Sequence, residues 1–160
     1  MKEFLENRLR MNAFSFGREY PYKDVKPMIY AEKYMTPDGE ADITDYKFFC
    51  FNGKPEIMFV ATDRSTDVKF DFFDMEFNHL DIINIHENSG KEIAKPVLFD
   101  EMRAVAEKLS QGMKFVRIDL YAISGQIYFG EYTFFHGGGF WPFHPEEWEK
   151  KLGDLIMLDK

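Results

Sequence analysis

The sequence predicts an α+β domain, an antiparallel sheet with helices packed on one face. Three observations lead to this fold class. Runs rich in Phe, Tyr, Val and Ile outnumber the segments with helical periodicity, and most neighbouring runs are joined by short turns. Aromatic residues make up 18% of the chain, a composition that suits strands. At 160 residues, the chain has the length of one domain.

Composition and charge limit the classes of function. A net charge of −8 argues against a general nucleic-acid-binding surface, but it does not exclude a local basic pocket for phosphate. The single cysteine, Cys50, excludes an internal disulfide and suits a reducing compartment. No apolar run reaches the length of about 18 residues that a membrane span needs, and the charged N-terminus does not resemble a secretory signal. We therefore expect a cytoplasmic protein without a nucleic-acid partner or a transmembrane segment.

The N-terminal part is predicted to contain one helix and one strand. Residues 1–13 could form a short helix because leucines recur there at helical spacing, and a polar, proline-punctuated connection follows. Residues 28–35 (MIYAEKYM) have the composition of a strand. We place a domain boundary here, with an N-terminal helix and extended connection over 1–27 and the main domain over 28–160.

The middle of the chain is predicted to be rich in strands. Residues 46–52 and 56–62 form two of them around Asn52-Gly53-Lys54-Pro55, since Asn-Gly between apolar runs is a strong hairpin signal. Residues 68–73 predict a further strand. The segment after it, through His86, shows no regular pattern.

Two helices are predicted in the second half. Residues 100–111 carry an apolar stripe at helical spacing, with Asp100 as the expected N-cap and Gly112 as the stop. Residues 145–155 predict a terminal helix that turns its tryptophan and leucines inward.

The stretch between these helices, residues 114–135 (KFVRIDLYAISGQIYFGEYTFF), predicts a β-hairpin. A three-residue loop, Ser124-Gly125-Gln126, gathers apolar residues of both strands on one face. A two-residue loop would instead place Glu131 among them, and such a register slip is penalised when one face is buried. We therefore predict the three-residue loop, in which Asp119 lies directly across from Glu131.

This predicted pair of carboxylates requires a counter-charge, because like charges directly opposite on a sheet are destabilising. A shared proton, a nearby arginine or a metal ion could supply it. Two converging carboxylates with few other protein ligands are the usual way in which Mg²⁺ is held, with substrate phosphates completing its coordination. The alternative is a solvated polar face on which Arg117, predicted to lie opposite Thr133, neutralises Asp119.

Other candidate sites are weaker. The four histidines have no metal-ligand spacing, so we expect surface or capping roles for His79, His86, His136 and His144. The three glycines at 137–139 could bring backbone N–H groups close to a phosphate. Without the lysine and hydroxyl residue of a phosphate-binding loop, a flexible turn is the simpler expectation.

At the hairpin the chain resembles the ATP-grasp superfamily, in which Arg-x-Asp on one strand is followed, after a glycine-containing turn, by Glu-x-Asn on the next. The matching residues are Arg117-Ile118-Asp119, Gly125 and Glu131-Tyr132-Thr133. More specifically, the sequence is similar to the TupA-like ATP-grasp proteins, which are linked to teichuronopeptide and cell-surface polysaccharide synthesis. Five stretches over residues 18–156 carry this similarity: REYPYKDVKPMIYAEKYM, DYKFFCFNGKPEIMFVATDR, MRAVAEKLS, FVRIDLYAISGQIYFGEYTFF and PEEWEKKLGDLI.

The resemblance implies that ATP and Mg²⁺ are the cofactors. Asp119, Glu131 and Thr133 would be the metal ligands, and Arg117 would steady the charge on the transferring phosphate. Thr133 departs from the asparagine of the family's pattern, and its hydroxyl is a poorer metal ligand, which bears on a second metal site.

The resemblance also implies how the nucleoside would be bound. The segment Glu32-Lys33-Tyr34-Met35 would be the adenine hinge, where Glu32 accepts from the exocyclic amine and the backbone of Lys33 and Met35 meets the ring edge. A ribose-binding carboxylate and two phosphate-binding cations would complete the site: Asp45, Lys47 and Arg64. Taken singly, charged residues beside apolar strands are more simply outward-facing.

The function implied is that of an ATP- and Mg²⁺-dependent ligase in cell-surface polysaccharide or teichuronopeptide synthesis. Such enzymes typically activate a carboxylate as an acyl phosphate, and the substrate here would be a small molecule or a sugar polymer. Only about thirty residues precede the predicted hinge, without the glycine-rich flap of the family's preceding lobe. We therefore expect the C-terminal part of the fold, completed by a partner chain or a second copy. The alternative is a truncated, non-catalytic binding or interaction module on the same scaffold.

Overall fold

The computed structural model describes residues 2–33, 35 and 43–157, and it divides into two compact units, Met1–Met35 and Thr36–Lys160. The first unit contains two short α-helices, α1 (Lys2–Leu9) and α2 (Phe14–Gly17), and a 3-10 helix over Tyr20–Tyr22. The helix predicted over residues 1–13 is thus confirmed only as far as Leu9. The domain boundary proposed between residues 27 and 28 stays a prediction.

The strand predicted over residues 28–35 is wrong for the described part of that segment, which forms neither strand nor helix. Tyr34 lies outside the described residues. Met28, Ile29 and Tyr30 are exposed, so their apolar character does not reflect a place in a sheet. Aromatic and β-branched residues favour a strand only where a neighbouring strand pairs with them, and the described residues of the first unit include no strand.

The second unit is built on a six-stranded sheet in which every neighbouring pair is antiparallel. In chain order the strands are β1 (Asp45–Phe51), β2 (Lys54–Thr62), β3 (Lys69–Asp74), β4 (His79–Leu80), β5 (Phe115–Ile123) and β6 (Gln126–Thr133). Across the sheet they are arranged β4-β3-β2-β1-β5-β6. Together with the helices that pack on this sheet, the architecture confirms the predicted α+β class and its antiparallel sheet, although the helices pack on both faces and not on one as predicted.

The hairpin signal at Asn52-Gly53 is confirmed. These two residues alone connect β1 to β2, with φ angles of 50° and 79°, the left-handed conformation that a type I′ turn requires. The Asn52 Nδ2 also donates a hydrogen bond to the Leu155 carbonyl oxygen at 2.6 Å, which ties this turn to the C-terminal segment.

Both predicted helices of the second half are confirmed, with shifted ends. Helix α3 spans Phe99–Ser110 and α4 spans Glu147–Asp154. Because α3 begins at Phe99, Asp100 is not its N-cap; it lies in the first turn, where its negative charge still favours the helix dipole. Within the described residues, no helix has both the length and the apolarity that crossing a membrane would require.

The two faces of the sheet contribute to two separate apolar clusters. On one face, the central strands pack against Phe99, Met102 and Ala106 of α3. On the other, phenylalanines of the first three strands form a cluster that includes Leu152 and Trp148 of α4. The middle of the sheet is therefore buried on both sides, and charged side chains there are largely withdrawn from water.

The tip of the β5–β6 hairpin differs from the prediction. Its loop has two residues, Ser124 and Gly125, because Ile123 pairs with Gln126. The predicted three-residue loop is therefore wrong. Ser124 and Gly125 have φ angles of 50° and 75°, so the tip is again a tight turn whose twist suits the flanking strands.

A β-bulge restores the predicted register further along the hairpin. Leu120 pairs with Phe129, whereas Asp119 pairs with Glu131, so Gly130 is an extra residue in β6. This extra residue returns Glu131 to the position opposite Asp119. The hairpin thereby combines a two-residue loop with the charge pairing that the three-residue loop predicted.

The bulge depends on the absence of a side chain at Gly130. A Cβ there would lie 2.9 Å from the Tyr121 Cε2 and 3.1 Å from the Asp119 carbonyl oxygen. We expect Gly130→Ala to lower the free energy of unfolding by about 1–3 kcal/mol, the usual cost of overpacking. Gly153→Ala is the matched control, since no atom lies within 4 Å of its added Cβ. Because alanine favours a helix more than glycine does, this change should raise the free energy of unfolding by up to about 1 kcal/mol. Urea denaturation measures both changes, and equal effects would contradict this account of the bulge.

Candidate functional site

Charged residues of β1, β5 and β6 meet on the face of the sheet that also carries the α4 cluster. Strand alternation places Asp45 and Lys47 on this face of β1, and Arg117 and Asp119 on the same face of β5. Lys47 lies directly opposite Asp119 in the β1–β5 pair. On the other side of Asp119, Glu131 of β6 lies directly opposite, as the sequence predicts.

Asp119 is fully buried and lies at the centre of this cluster. Arg117 donates two hydrogen bonds to it, from Nε to Oδ1 at 2.7 Å and from Nη2 to Oδ2 at 2.8 Å, and such paired bonds are among the strongest in proteins. The Lys47 Nζ donates a third, to Oδ2. Burial by itself raises the pKa of Asp119, but the hydrogen bonds and charge of Arg117, with the charge of Lys47, outweigh it and lower that pKa overall.

An arginine is the counter-charge that the opposed carboxylates require. The Arg117 Nη2 that binds Asp119 also donates to the Glu131 Oε1 at 3.2 Å. The Glu131 side chain is 63% exposed, and its pKa is raised by partial burial and by the negative charge of Asp119. Thr133 lies opposite Arg117, as predicted. The longer bond and the exposure make Glu131 the more exchangeable of the two carboxylates.

A second buried carboxylate, Asp45, joins two cations. Its Oδ2 lies 3.3 Å from the Lys47 Nζ and 2.7 Å from the Arg64 Nη1. Neither carboxylate oxygen accepts a hydrogen bond of good geometry from the described residues, although Asp45 is only 1% exposed. Burial and then the charge of Asp45 raise the pKa of Tyr121. Buried carboxylate oxygens normally accept hydrogen bonds, and a ligand that donates to Asp45 when it binds would explain why these do not.

His136 belongs to this cluster and was missed by the sequence analysis; the surface or capping role expected for it is wrong. It begins a 3-10 helix, His136–Gly139, and is 7% exposed. Its Nδ1 lies 2.7 Å from the Arg117 Nη1, and its Nε2 lies 2.6 Å from the Asn84 Oδ1. Burial, and then the charge of Arg117, lower its pKa to about 3. One feature of the sequence could have placed it near Arg117: His136 follows Thr133, the predicted partner of Arg117, by only three residues.

The predicted adenine contacts belong to the first compact unit. Glu32 and Lys33 are exposed there and Met35 is half-buried, while the Tyr34 between them lies outside the described residues. The charged cluster belongs to the second unit and brings together most of the other predicted site residues: Asp45, Lys47, Arg64, Arg117, Asp119 and Glu131. The role assigned to Glu32, Lys33 and Met35 stays a prediction.

The donors of the cluster suit a hard cation such as Mg²⁺. Asp119 and Glu131 offer carboxylate oxygens from directly opposite positions, and Thr133 offers a hydroxyl two residues further along β6. Among residues 2–33, 35 and 43–157, no group of three His, Cys, Asp or Glu side chains could hold an ion. Arg117 and Lys47 already donate three hydrogen bonds to Asp119, one to Oδ1 and two to Oδ2, so an incoming metal ion would have to share the carboxylate with these cations or displace one of them.

The burial of Asp119 predicts a large effect of its removal on stability. Asp119→Asn leaves Arg117 and Lys47 buried without their shared counter-charge, which should lower the free energy of unfolding by about 3–5 kcal/mol. The matched change Glu131→Gln should cost no more than about 1 kcal/mol, because that side chain is largely exposed. Urea denaturation at neutral pH compares them. A loss of the same size in both variants would contradict the central place given to Asp119.

The lowered pKa of Asp119 predicts how stability depends on acid. Since this pKa is lower in the folded than in the unfolded chain, the carboxylate stabilises the fold above the unfolded value of about 3.9. The stabilisation is lost as the pH falls through the folded value. The difference in unfolding free energy between the natural protein and Asp119→Asn should therefore be constant near neutral pH and shrink below about pH 4. Denaturation curves at a series of pH values test this, and a difference that persists undiminished in strong acid would refute it.

Comparison with known proteins identifies the family. The family model described as TupA-like ATPgrasp matches residues 1–157, nearly the whole chain. No curated protein and no solved structure matches this chain. The match confirms the resemblance found at the hairpin and in the stretches around it. The chain belongs to the TupA-like ATP-grasp family.

Proposed function

We propose that this chain binds ATP together with Mg²⁺ and serves ligase-type chemistry in the synthesis of a cell-surface polysaccharide or teichuronopeptide. Membership of the family supports an ATP-grasp-type function, and the family generally uses ATP and Mg²⁺. The observation that carries the proposal is the convergence of Lys47 and Arg117 on the opposed carboxylates of Asp119 and Glu131.

The cations of the cluster would bind the phosphates. Phosphoryl transfer depends mainly on positioning and on charge stabilisation. The side chains of Lys47 and Arg117 are only 12% and 10% exposed, so their charges act where little water screens them. Arg64, whose side chain is 48% exposed, would reach a phosphate from the surface.

The opposed carboxylates would hold the metal ion. Asp119 and Glu131 would be its main protein ligands, with Thr133 as a weaker one. Glu131 can turn toward a ligand at small cost, because it is exposed and is held by one hydrogen bond of 3.2 Å among the described residues. When bound, Mg²⁺ would neutralise charge on the phosphate oxygens.

The nucleoside would be bound through one carboxylate and a short segment. Asp45 would accept hydrogen bonds from the ribose hydroxyls, a role supported by its buried oxygens, which are ion-paired but accept no hydrogen bond of good geometry from the described residues. Glu32 would accept from the adenine amine, and the backbone of Lys33 and Met35 would meet the ring edge.

The reaction would follow the general scheme of the family. The γ-phosphoryl group of ATP would pass to a carboxylate of the acceptor, giving ADP and an acyl phosphate. An amine or a thiol would then attack the acyl carbon, and inorganic phosphate would leave. The acceptor would be a small molecule or a sugar polymer in the cytoplasm, where ATP is supplied. A partner chain or a second copy would supply a further lobe that covers the nucleotide.

Isothermal titration with ATP, with and without Mg²⁺, tests the proposal. We expect binding that requires Mg²⁺ and that Glu131→Gln weakens at least about tenfold, the usual scale for disturbing a metal site. Glu101→Gln is the matched control, since Glu101 is exposed in the first turn of α3, on the opposite face of the sheet. It should bind as the natural protein does.

The alternative is a non-catalytic binding or interaction module. Its support is that Arg117 and Lys47 already bind both oxygens of Asp119, so the cluster is balanced without a ligand. An absence of binding at millimolar ATP with Mg²⁺ would favour this alternative. Binding that is equal with and without Mg²⁺ and unaffected by Glu131→Gln would remove the metal ion from the proposal.

A further inference from the structure

We propose that His136 is a positioning residue, held by Asn84, that fixes the guanidinium of Arg117 for phosphate binding. The inference deepens the proposed function and rests on it for the role of Arg117. Sequence analysis assigned no role to Asn84 and only a peripheral one to His136. Both side chains are buried, with exposed fractions of 1% and 7%.

The hydrogen bonds of the pair have one consistent direction. The Asn84 Nδ2 donates to the carbonyl oxygens of Trp141 at 3.2 Å and Pro142 at 2.9 Å. Carbonyls only accept, so the amide oxygen of Asn84 must face His136. That oxygen also only accepts, so the His136 Nε2, at 2.6 Å, must carry the proton. The Nδ1 of the neutral ring is then an acceptor for Arg117, whose guanidinium can only donate.

A neutral His136 also suits the charges around it. Protonation of Nδ1 would remove the lone pair that accepts from Arg117 and would place a second cation 2.7 Å from the guanidinium. The nearby charged groups are those of Arg117, Lys47 and Asp119. Burial and the charge of Arg117 lower the pKa of His136 to about 3, in agreement with the direction of the hydrogen bonds.

The pair is itself held by its surroundings. Beside Asn84, the backbones of Ile83 and His144 form an antiparallel bridge with two hydrogen bonds of 2.9 Å. The His136 ring packs edge-on against Phe49, with centroids 4.9 Å apart. Phe59 lies against both the His136 ring and the Arg117 guanidinium. These contacts hold the His136 ring in place, so its Nδ1 is a fixed acceptor for the Arg117 guanidinium.

Arg117 is therefore restrained from two sides. Asp119 binds its Nε and Nη2, and His136 binds its Nη1. Without His136, Asp119 would still hold one edge of the guanidinium, but Nη1 would lose its fixed partner. Donors that are oriented before a ligand arrives need no reorganisation when negative charge develops, which is the main source of electrostatic catalysis.

Two substitutions separate this role from packing. His136→Phe keeps an aromatic ring between Phe49 and Phe59 but removes the acceptor for Arg117. His136→Gln can keep both functions, since its amide oxygen can accept from Arg117 and its NH₂ group can donate to Asn84. His79→Phe is the matched control, because the His79 side chain is 46% exposed and lies on edge strand β4.

Nitrogen NMR of the ligand-free protein measures the contact directly. We expect the Nε2–H tautomer of His136 and resolved, slowly exchanging Nη signals of Arg117. The signals of the two Nη1 protons should average in His136→Phe and persist in His136→Gln and His79→Phe, whereas Asp119 still holds Nη2 in every variant. Resolved Nη1 proton signals in His136→Phe, or an Nδ1–H tautomer in the natural protein, would overturn the proposal. If His136→Phe does not fold, Asn84→Ala replaces it, and Nη1 proton signals of Arg117 that stay as well resolved there as in the natural protein would also count against the proposal.

Titration with Mg²⁺ and ATP then tests the functional consequence. His136→Phe should bind about tenfold more weakly, the scale of one hydrogen bond to a charged group, and His136→Gln should recover most of that loss. Averaged Arg117 signals without any loss of affinity would overturn the positioning role. If the natural protein binds no ATP, the proposed function fails, while the NMR result still decides whether His136 fixes Arg117.

Discussion

The paired hydrogen bonds between Arg117 and Asp119 are the interaction on which the second unit depends. With α3 on one face and α4 on the other, the central strands are buried on both sides. A charge placed on these strands must find its partner within the protein, since the penalty for leaving it unpaired is large. Lys47, Glu131 and His136 each contact this pair, so their positions follow from the need to balance one buried carboxylate and one buried guanidinium.

The Gly130 bulge makes this balance compatible with the rest of the hairpin. A two-residue turn at Ser124-Gly125 sets one register, and the opposition of Asp119 and Glu131 requires a register shifted by one residue. One extra residue in β6 satisfies both. The position must be glycine because the Tyr121 ring and the Asp119 carbonyl occupy the space of a side chain. Local backbone geometry and the charge cluster are therefore linked.

Sequence reasoning succeeds where the signals are local. The Asn52-Gly53 turn, the stripe of α3 and the period-2 alternation of β5 each lie within a few residues, and they predict the fold class. The opposed carboxylates were predicted from a three-residue loop that is wrong, and they are opposed because the Gly130 bulge makes up the difference of one residue. Sequence reasoning fails where contacts between residues far apart in the chain determine the structure. Residues 28–35 look like a strand, but those of them that the structure describes pair with no described strand, and β4 has only two residues. Asn84 and His136 are 52 positions apart, and no spacing in the chain shows that they meet.

A double-mutant cycle in protein free of metal and nucleotide tests the central claim most directly. The free energy of unfolding would be measured for the natural protein, Arg117→Gln, Asp119→Asn and the double variant. If this pair balances the buried site, removing one partner leaves the other unpaired, and the coupling energy should be about 2–3 kcal/mol. Effects that add to within about 0.5 kcal/mol would contradict it.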